Sequence, residues 1–433
     1  MMAAALLTVA RYRQLARLIR LFPLPFFVAK WLMLTALISV SVGSASAFFL
    51  VSLDWVTSWR EANSWVIALL PVGGFLIGLL YHYVGSSVEG GNNLLLDNIH
   101  RPATRIRFRM APLVLAGTLG THLFGGSAGR EGTALQMGGA IADQFTALFR
   151  LRPRDRRLVL IAGISAGFGA VFGTPLAGAV FGLEVFLIGR ISYEAILPAF
   201  GAALGADYVT RWWQVGHTHY HIDTVPPLTP EYAFYAALAG VAFGGCAIVF
   251  GKLTHVTSLT FKRWIAFPPL RPLVGGAVVA GFVWVIGTTR YIGLGIPVIV
   301  QAFEQPLPPP DFAMKLLFTA LTLGAGFKGG EVTPLFFMGA TLGNALACWI
   351  PLPIALLAGM GFVAVFAGAA NTPLACILMA LELFGVACGP YVAIACIMAY
   401  LCSGHRGIYG SQVVGQSKHL FWGRQQGRKL SDL

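Results

Sequence analysis

The chain has 433 residues, 57% of them hydrophobic and only 11% charged, with a mean hydropathy of +0.74. Soluble domains carry about 25% charged residues, so this composition excludes a soluble globular protein and points to a multi-pass membrane protein. The net charge of +13 gathers at Arg11–Arg20, Arg101–Arg109, Arg150–Arg157 and Lys418–Lys429; clusters beside apolar segments face the cytoplasm by the positive-inside rule, and no basic soluble face is left for nucleic acid.

The elements follow in chain order. In residues 1–22 the basic residues come after the first apolar run, which is wrong for a signal peptide. Arg11, Arg13, Arg17 and Arg20 instead mark one face of an amphipathic interfacial helix. Crossing a bilayer core takes about 20 apolar residues. Spans are expected at Phe26–Val51, Val66–Tyr83, Tyr232–Phe250, Pro272–Thr288 and Leu352–Ala370. Between the first spans lies "EGGNNLLLDNIH" (89–100). Then comes "GGSAGREGTALQMGG" (125–139), with six glycines around an Arg–Glu pair. Non-helical backbone at membrane depth is tolerated only where it is buried in protein or lines a cavity, so this break marks a site.

The next segment, "AGFGAVFGTPLAGAVFGLEVF" (166–186), has a second copy in "GFVAVFAGAANTPLACILMALELFG" (361–385). Thr174-Pro175 matches Thr372-Pro373, and Glu184 matches Glu382; the symmetry predicts a shared structural role for the two acids. Upstream of the second copy, "GFKGGEVTPLFFMGA" (326–340) is another glycine-rich break carrying an acid. Glu131 precedes Pro175 by 44 residues, and Glu331 precedes Pro373 by 42. One long unit is thus used twice, as in transporters whose ion sites form where broken helices meet at the repeat interface. A helix N-terminus carries about half a positive charge and free N–H groups, so two such ends make an anion site without a full cation. The expected organisation is an N-terminal interfacial helix (1–22), a first transmembrane repeat half (23–213), a loop (214–230), a second half (231–415) and a short basic tail (416–433).

The loop contains "HTHYHID" (217–223), with His217, His219 and His221 on alternate residues. That spacing suits a metal on a strand, but the Pro-rich, Trp-flanked setting reads as a solvated loop. The six cysteines all fall in apolar segments and read as small buried hydrophobes with no disulfide framework. No HExxH, GxSxG or paired-Asp motif is present, so the chain is read as a transporter and not an enzyme, with no cofactor and no metal.

At these residues the chain resembles the CLC family of anion transporters. The likeness is carried by "GREGT" (129–133), by Gly330–Pro334 and by "GHRGIYGSQVV" (404–414). It implies an all-α polytopic membrane protein: an inverted-repeat helical fold with broken and re-entrant helices, a homodimer in the bacterial inner membrane. Three departures resemble the branch of bacterial fluoride/proton antiporters. Asn92 stands where chloride-transporting members keep a Ser, Glu331 stands where they keep an apolar residue, and Val185 stands near their inner proton-carrying Glu. The resemblance implies that Glu131 and Glu331 serve gating and proton coupling. Asn92, Gly132, Thr133, Val332, Thr333 and Tyr409 would bind the anion. The activity expected is export of fluoride in exchange for protons, with a chloride channel or chloride/proton exchanger as the alternative. Arg130 is expected to pair with a carboxylate or carbonyls, because a free cation at depth is costly.

Overall fold

In a computed structural model, residues 23–102, 104–419 and 425–433 are described; the interfacial helix expected over 1–22 lies outside them. Among the described residues sixteen α-helices follow one another, and they fall into two series of eight. The first series is α1 (Pro23–Ala62), α2 (Leu70–Leu80), α3 (Asn92–His100), α4 (Met110–Leu123), α5 (Glu131–Leu148), α6 (Pro153–Phe172), α7 (Pro175–Glu184) and α8 (Ile196–Trp212). The second is α9 (Pro230–Trp264), α10 (Leu270–Ile286), α11 (Ile296–Glu304), α12 (Asp311–Gly324), α13 (Val332–Leu346), α14 (Ile354–Ala370), α15 (Pro373–Phe384) and α16 (Gly389–Cys402). Each series opens with a long helix, 40 residues in α1 and 35 in α9. Both outrun the apolar spans read from sequence because they continue into polar ends such as Trp59–Ala62. Among the described residues three helical stretches are long and apolar enough to cross a membrane, Leu24–Ala62, Ser64–His100 and Pro230–Trp264.

The repeat is physical as well as textual. α5 crosses α6 at Gly138 and Gly163, where a Cβ on Gly138 would stand 2.2 Å from the Gly163 carbonyl oxygen. α13 crosses α14 at Gly339 and Gly361, where the same construction gives 2.0 Å. Backbones approach this closely only without side chains, the usual device of helix packing in lipid. α6 ends on Gly173 and α14 on Asn371, both left-handed (φ 70° and 59°), and each is followed by Thr-Pro that starts the next helix. Beyond the charged first turns of α6, both α6 and α14 are apolar and buried on nearly every face, as expected of helices wrapped by others.

Two polar clamps fix the parts that carry the site. Buried Asp143 on α5 pairs with Arg156 of α6 (2.7 Å) and accepts the Ile106 amide (2.8 Å), while Arg156 also donates to Asn98 of α3 and to the Thr104 carbonyl. Arg156 is thus a structural member of a basic cluster whose Arg150, Arg152 and Arg154 are exposed. At the other end, β1 (Leu187–Ile188) pairs in parallel with β2 (Val413–Val414). The tail folds back along that loop through Gly427, Leu430 and Ser431, and Lys429 reaches Asp97 on α3 at 2.6 Å. The cysteines correct the sequence reading in part: all six are free, but Cys348 and Cys402 are exposed. They sit in the segment after α13 and at the end of α16, where an apolar stretch faces outward instead of into protein.

Candidate functional site

The two glycine-rich breaks meet at the centre of the molecule. Gly129 donates to the Gly330 carbonyl (2.6 Å), and Gly330 donates back to the Gly129 carbonyl (2.7 Å). This two-bond antiparallel bridge needs glycine on both sides. A Cβ on Gly330 would stand 2.7 Å from the Gly132 nitrogen, and one on Gly129 would stand 2.9 Å from the Glu131 carboxylate. The bridge also sets the register between halves. Equating Gly129 with Gly330 makes Arg130 the counterpart of Glu331, each just before its helix, and Glu131 the counterpart of Val332, each opening its helix. The two acids therefore do not occupy equivalent positions, although their sequence spacing suggests that they do.

Glu131, fully buried, opens α5 and turns its carboxylate onto the start of α13. It accepts the Thr333 amide (3.0 Å), the Thr333 hydroxyl and the Arg130 amide (3.1 Å). Arg130 Nε stands 3.6 Å from the same carboxylate, as expected of a cation at depth. A helix N-terminus favours negative charge, and the carboxylate takes up its donors here.

Two cavities approach this point from opposite directions. A wide one of about 810 Å³ is lined by Arg60, Arg130, Gln214, Thr218, Arg290 and residues opening α11. A narrow one of about 180 Å³ is lined by Glu89, Asn92, Gln136, Lys328, Glu331 and Tyr409 among others. Arg130 belongs to the first wall and Glu331 to the second, while Glu131 lines neither and stands between them.

The other expected residues sort as follows. Asn92 is the first residue of α3 and makes no capping bond; its Oδ1 is buried without a partner, as is the Tyr409 hydroxyl. Gly132 faces both Asn92 and Gly330: a Cβ there would lie 3.2 Å from Asn92 Nδ2 and 3.0 Å from Gly330 Cα. The Thr333 hydroxyl is committed to Glu131. The Thr133 hydroxyl is paired with Thr118 (2.6 Å), and Val332 is buried in the first turn of α13. The sequence reading missed Thr118, Gln136 and Lys328. For Lys328 a signal existed, a lysine inside a glycine-rich break at membrane depth. For Thr118 there was none, since its role rests on a partner on the next helix.

The histidine loop differs from its reading as a solvated segment. His217 is half-buried with Nε2 3.0 Å from the Ala170 carbonyl, and Tyr220 packs against Phe303 and Phe362 at 5.3 and 5.2 Å between ring centres. His219 and His221 are exposed, as are Gly216, Asp223, Thr224 and residues 227–229, so the loop is solvated in part. Tyr220 and Ile222 turn inward onto the aromatic and apolar floor, while Thr218 lines the wide cavity.

Comparison with known proteins gives the following. The family described as voltage gated chloride channel matches residues 73–404. A chloride/fluoride channel protein of Pseudomonas syringae pv. tomato is 56% identical over 399 residues, 91% of this chain and 88% of the relative. An H(+)/Cl(-) exchange transporter of Yersinia pestis is 25% identical over 382 residues, covering 81% and 80% of the two chains. Among solved structures, a CLC-type fluoride/proton antiporter superposes with TM-score 0.87 at 34% identity, covering 89% of this chain and 98% of that one. A slow cyanobacterial Cl-/H+ antiporter shares the fold, with TM-score 0.76 at 19% identity and 88% and 96% coverage.

Proposed function

The chain belongs to the voltage gated chloride channel (CLC) family, and from that premise we propose that it exchanges fluoride for protons across the bacterial cell membrane, exporting fluoride. The observation that carries this reading is Glu131, a titratable carboxylate held on anion-binding donors between two cavities. Ionised, it fills the anion's place. Protonated, it loses the charge that the α13 N-terminus stabilises and yields the Thr333 donors to an incoming anion. One side chain thereby makes proton and anion movement depend on each other. On the narrow-cavity side Glu331 receives the proton, since a bare charge in the core is costly.

Fluoride is small, and stripping its water costs more than for chloride, by the Born relation for small ions. Short hydrogen bonds must replace that water. The Tyr409 hydroxyl brings a donor without a protein partner to the narrow cavity, Asn92 brings its Nδ2 amide beside Gly132, and Thr333 brings two donors at the barrier. Two of the similar proteins carry fluoride in their descriptions, which supports the same ion here. Direction follows from charge. The basic-loop end of α1 is tied by Lys30 to Asp155 (2.8 Å), and its other end lines the wide cavity. By the positive-inside rule the narrow cavity faces the cytoplasm. The chain acts as a homodimer with one pathway per subunit in this reading.

The test is anion efflux from proteoliposomes with external pH followed at the same time. Fluoride should leave faster than chloride and draw protons in. Equal rates for the two ions would sink the fluoride assignment in favour of chloride exchange. Asn92→Ser should narrow the preference.

A further inference from the structure

The narrow cavity holds a cation that the scheme above does not use. Lys328 sits in the second break, at the position equivalent to Ser127 in the first. Ser127 is bonded to Thr319 (2.9 Å) and to Thr322 through its amide. Lys328 instead lies with Nζ 4.1 Å from the centre of the Tyr81 ring, and no hydrogen bond or ion pair to a described residue holds its ammonium. Its stem has a built slot: a Cβ on Gly117 would stand 2.9 Å from Lys328 Cβ and 3.2 Å from the Tyr81 ring. A lysine that is held by its stem, backed by an aromatic face and turned to a cavity leaves its donors for a ligand.

The cavity's charges say which ligand. Glu89 and Glu331 line the same wall, so without Lys328 the passage would carry only acids and would repel an anion. We propose that Lys328 is the receiving group for the transported anion on the narrow-cavity side, holding fluoride by a charge-assisted hydrogen bond before it reaches Asn92, Gly132 and Thr333. A charge-assisted bond is short and strong and suits an ion that must shed water. Tyr81 keeps it from being a trap. The ring face shares the ammonium's field, so the anion meets a cation already partly satisfied and can be passed on. Lysine in place of arginine fits this, since a single mobile point charge follows a moving ion better than a rigid fork.

This inference rests on the transport reading, and the experiment separates the two. Fluoride flux is measured in proteoliposomes against fluoride concentration for the wild type, Lys328→Gln, Lys328→Arg and Glu89→Gln. Lys328→Gln should raise the half-saturating fluoride concentration about tenfold, within the range by which focused charge alters ion capture, with a smaller effect on the maximal rate. Lys328→Arg should restore most of the affinity. Glu89 is exposed, so Glu89→Gln will fold whatever happens at Lys328, and it should lower half-saturation. Wild-type vesicles that carry no anion overturn the transport reading and this inference with it. Wild-type flux with half-saturation unchanged in Lys328→Gln overturns this inference alone. If Lys328→Gln does not fold, half-saturation that stays level or rises in Glu89→Gln does the same.

Discussion

Two pairs of glutamates recur in the two halves, and they behave in opposite ways. Glu184 at the end of α7 accepts the Leu374 and Ala375 amides that open α15 (3.3 and 3.0 Å). Glu382 near the end of α15 accepts the Leu176 and Ala177 amides that open α7 (3.0 and 2.8 Å). Each acid caps the other's helix, and the arrangement is symmetric. Glu131 and Glu331 are not. Glu131 spans from one half to the donors of the other, while Glu331 faces a cavity, and the equivalent positions hold Val332 and Arg130. A symmetric acid pair that satisfies helix ends on both sides has a complete structural explanation. An asymmetric pair does not: transport between two sides needs two different environments, and here the repeat departs from itself.

The sharpest way to break this comparison is Glu131→Gln. The amide keeps an acceptor for Thr333 but cannot titrate, so proton uptake driven by a fluoride gradient should fall by about 100-fold or more, the usual worth of a positioned proton-transfer group. The protein should still fold. Normal proton uptake by the mutant would refute the assignment.

The symmetric pair should respond through stability instead. Glu184→Ala or Glu382→Ala leaves two amides of the opposite helix without acceptors, costing about 1–3 kcal/mol each. Thermal unfolding in detergent should show the loss for either mutant, and flux per folded molecule should stay near the wild-type value. A mutant of normal stability and lost flux would move this pair into the transport machinery.

Glu331→Gln sharpens the contrast at a smaller scale. Fluoride and proton flux should slow together, by about tenfold, less than the usual worth of a positioned proton-transfer group because water in the cavity can substitute in part. The thermal midpoint should hold. Lost stability with normal flux would make Glu331 another helix-end acid.

Much of this was legible in the chain because it is written between near neighbours. The Thr-Pro starts of α7 and α15, the glycine-rich breaks and the apolar runs are local signals, set by turn chemistry and by hydrophobic length. The matched Glu184 and Glu382 could be assigned a shared structural role from the repeat alone. Glu131 and Glu331 were picked out by residue type in an improbable place, an acid inside a glycine-rich break between apolar stretches, whereas Asn92 and Tyr409 came only through the family resemblance. The cysteines show the limit of that logic: an apolar segment says that a residue is out of water, not whether protein or lipid covers it.

What the tertiary structure alone decided is how the halves register and which side of the barrier each group faces. Counting residues back from Pro175 and Pro373 makes Glu131 and Glu331 look nearly equivalent; the Gly129–Gly330 bridge matches Glu131 to Val332 instead, so that one acid stands between the cavities and the other lines one of them. The Thr118–Thr133 pair, the inward turn of Tyr220 and the slot that presents Lys328 are equally invisible in sequence. The reason is physical. Helix starts, breaks and spans follow from interactions a few residues apart, whereas the site is made by backbone bonds between segments about 200 residues apart, and only the packing of glycine against glycine fixes which atoms meet there.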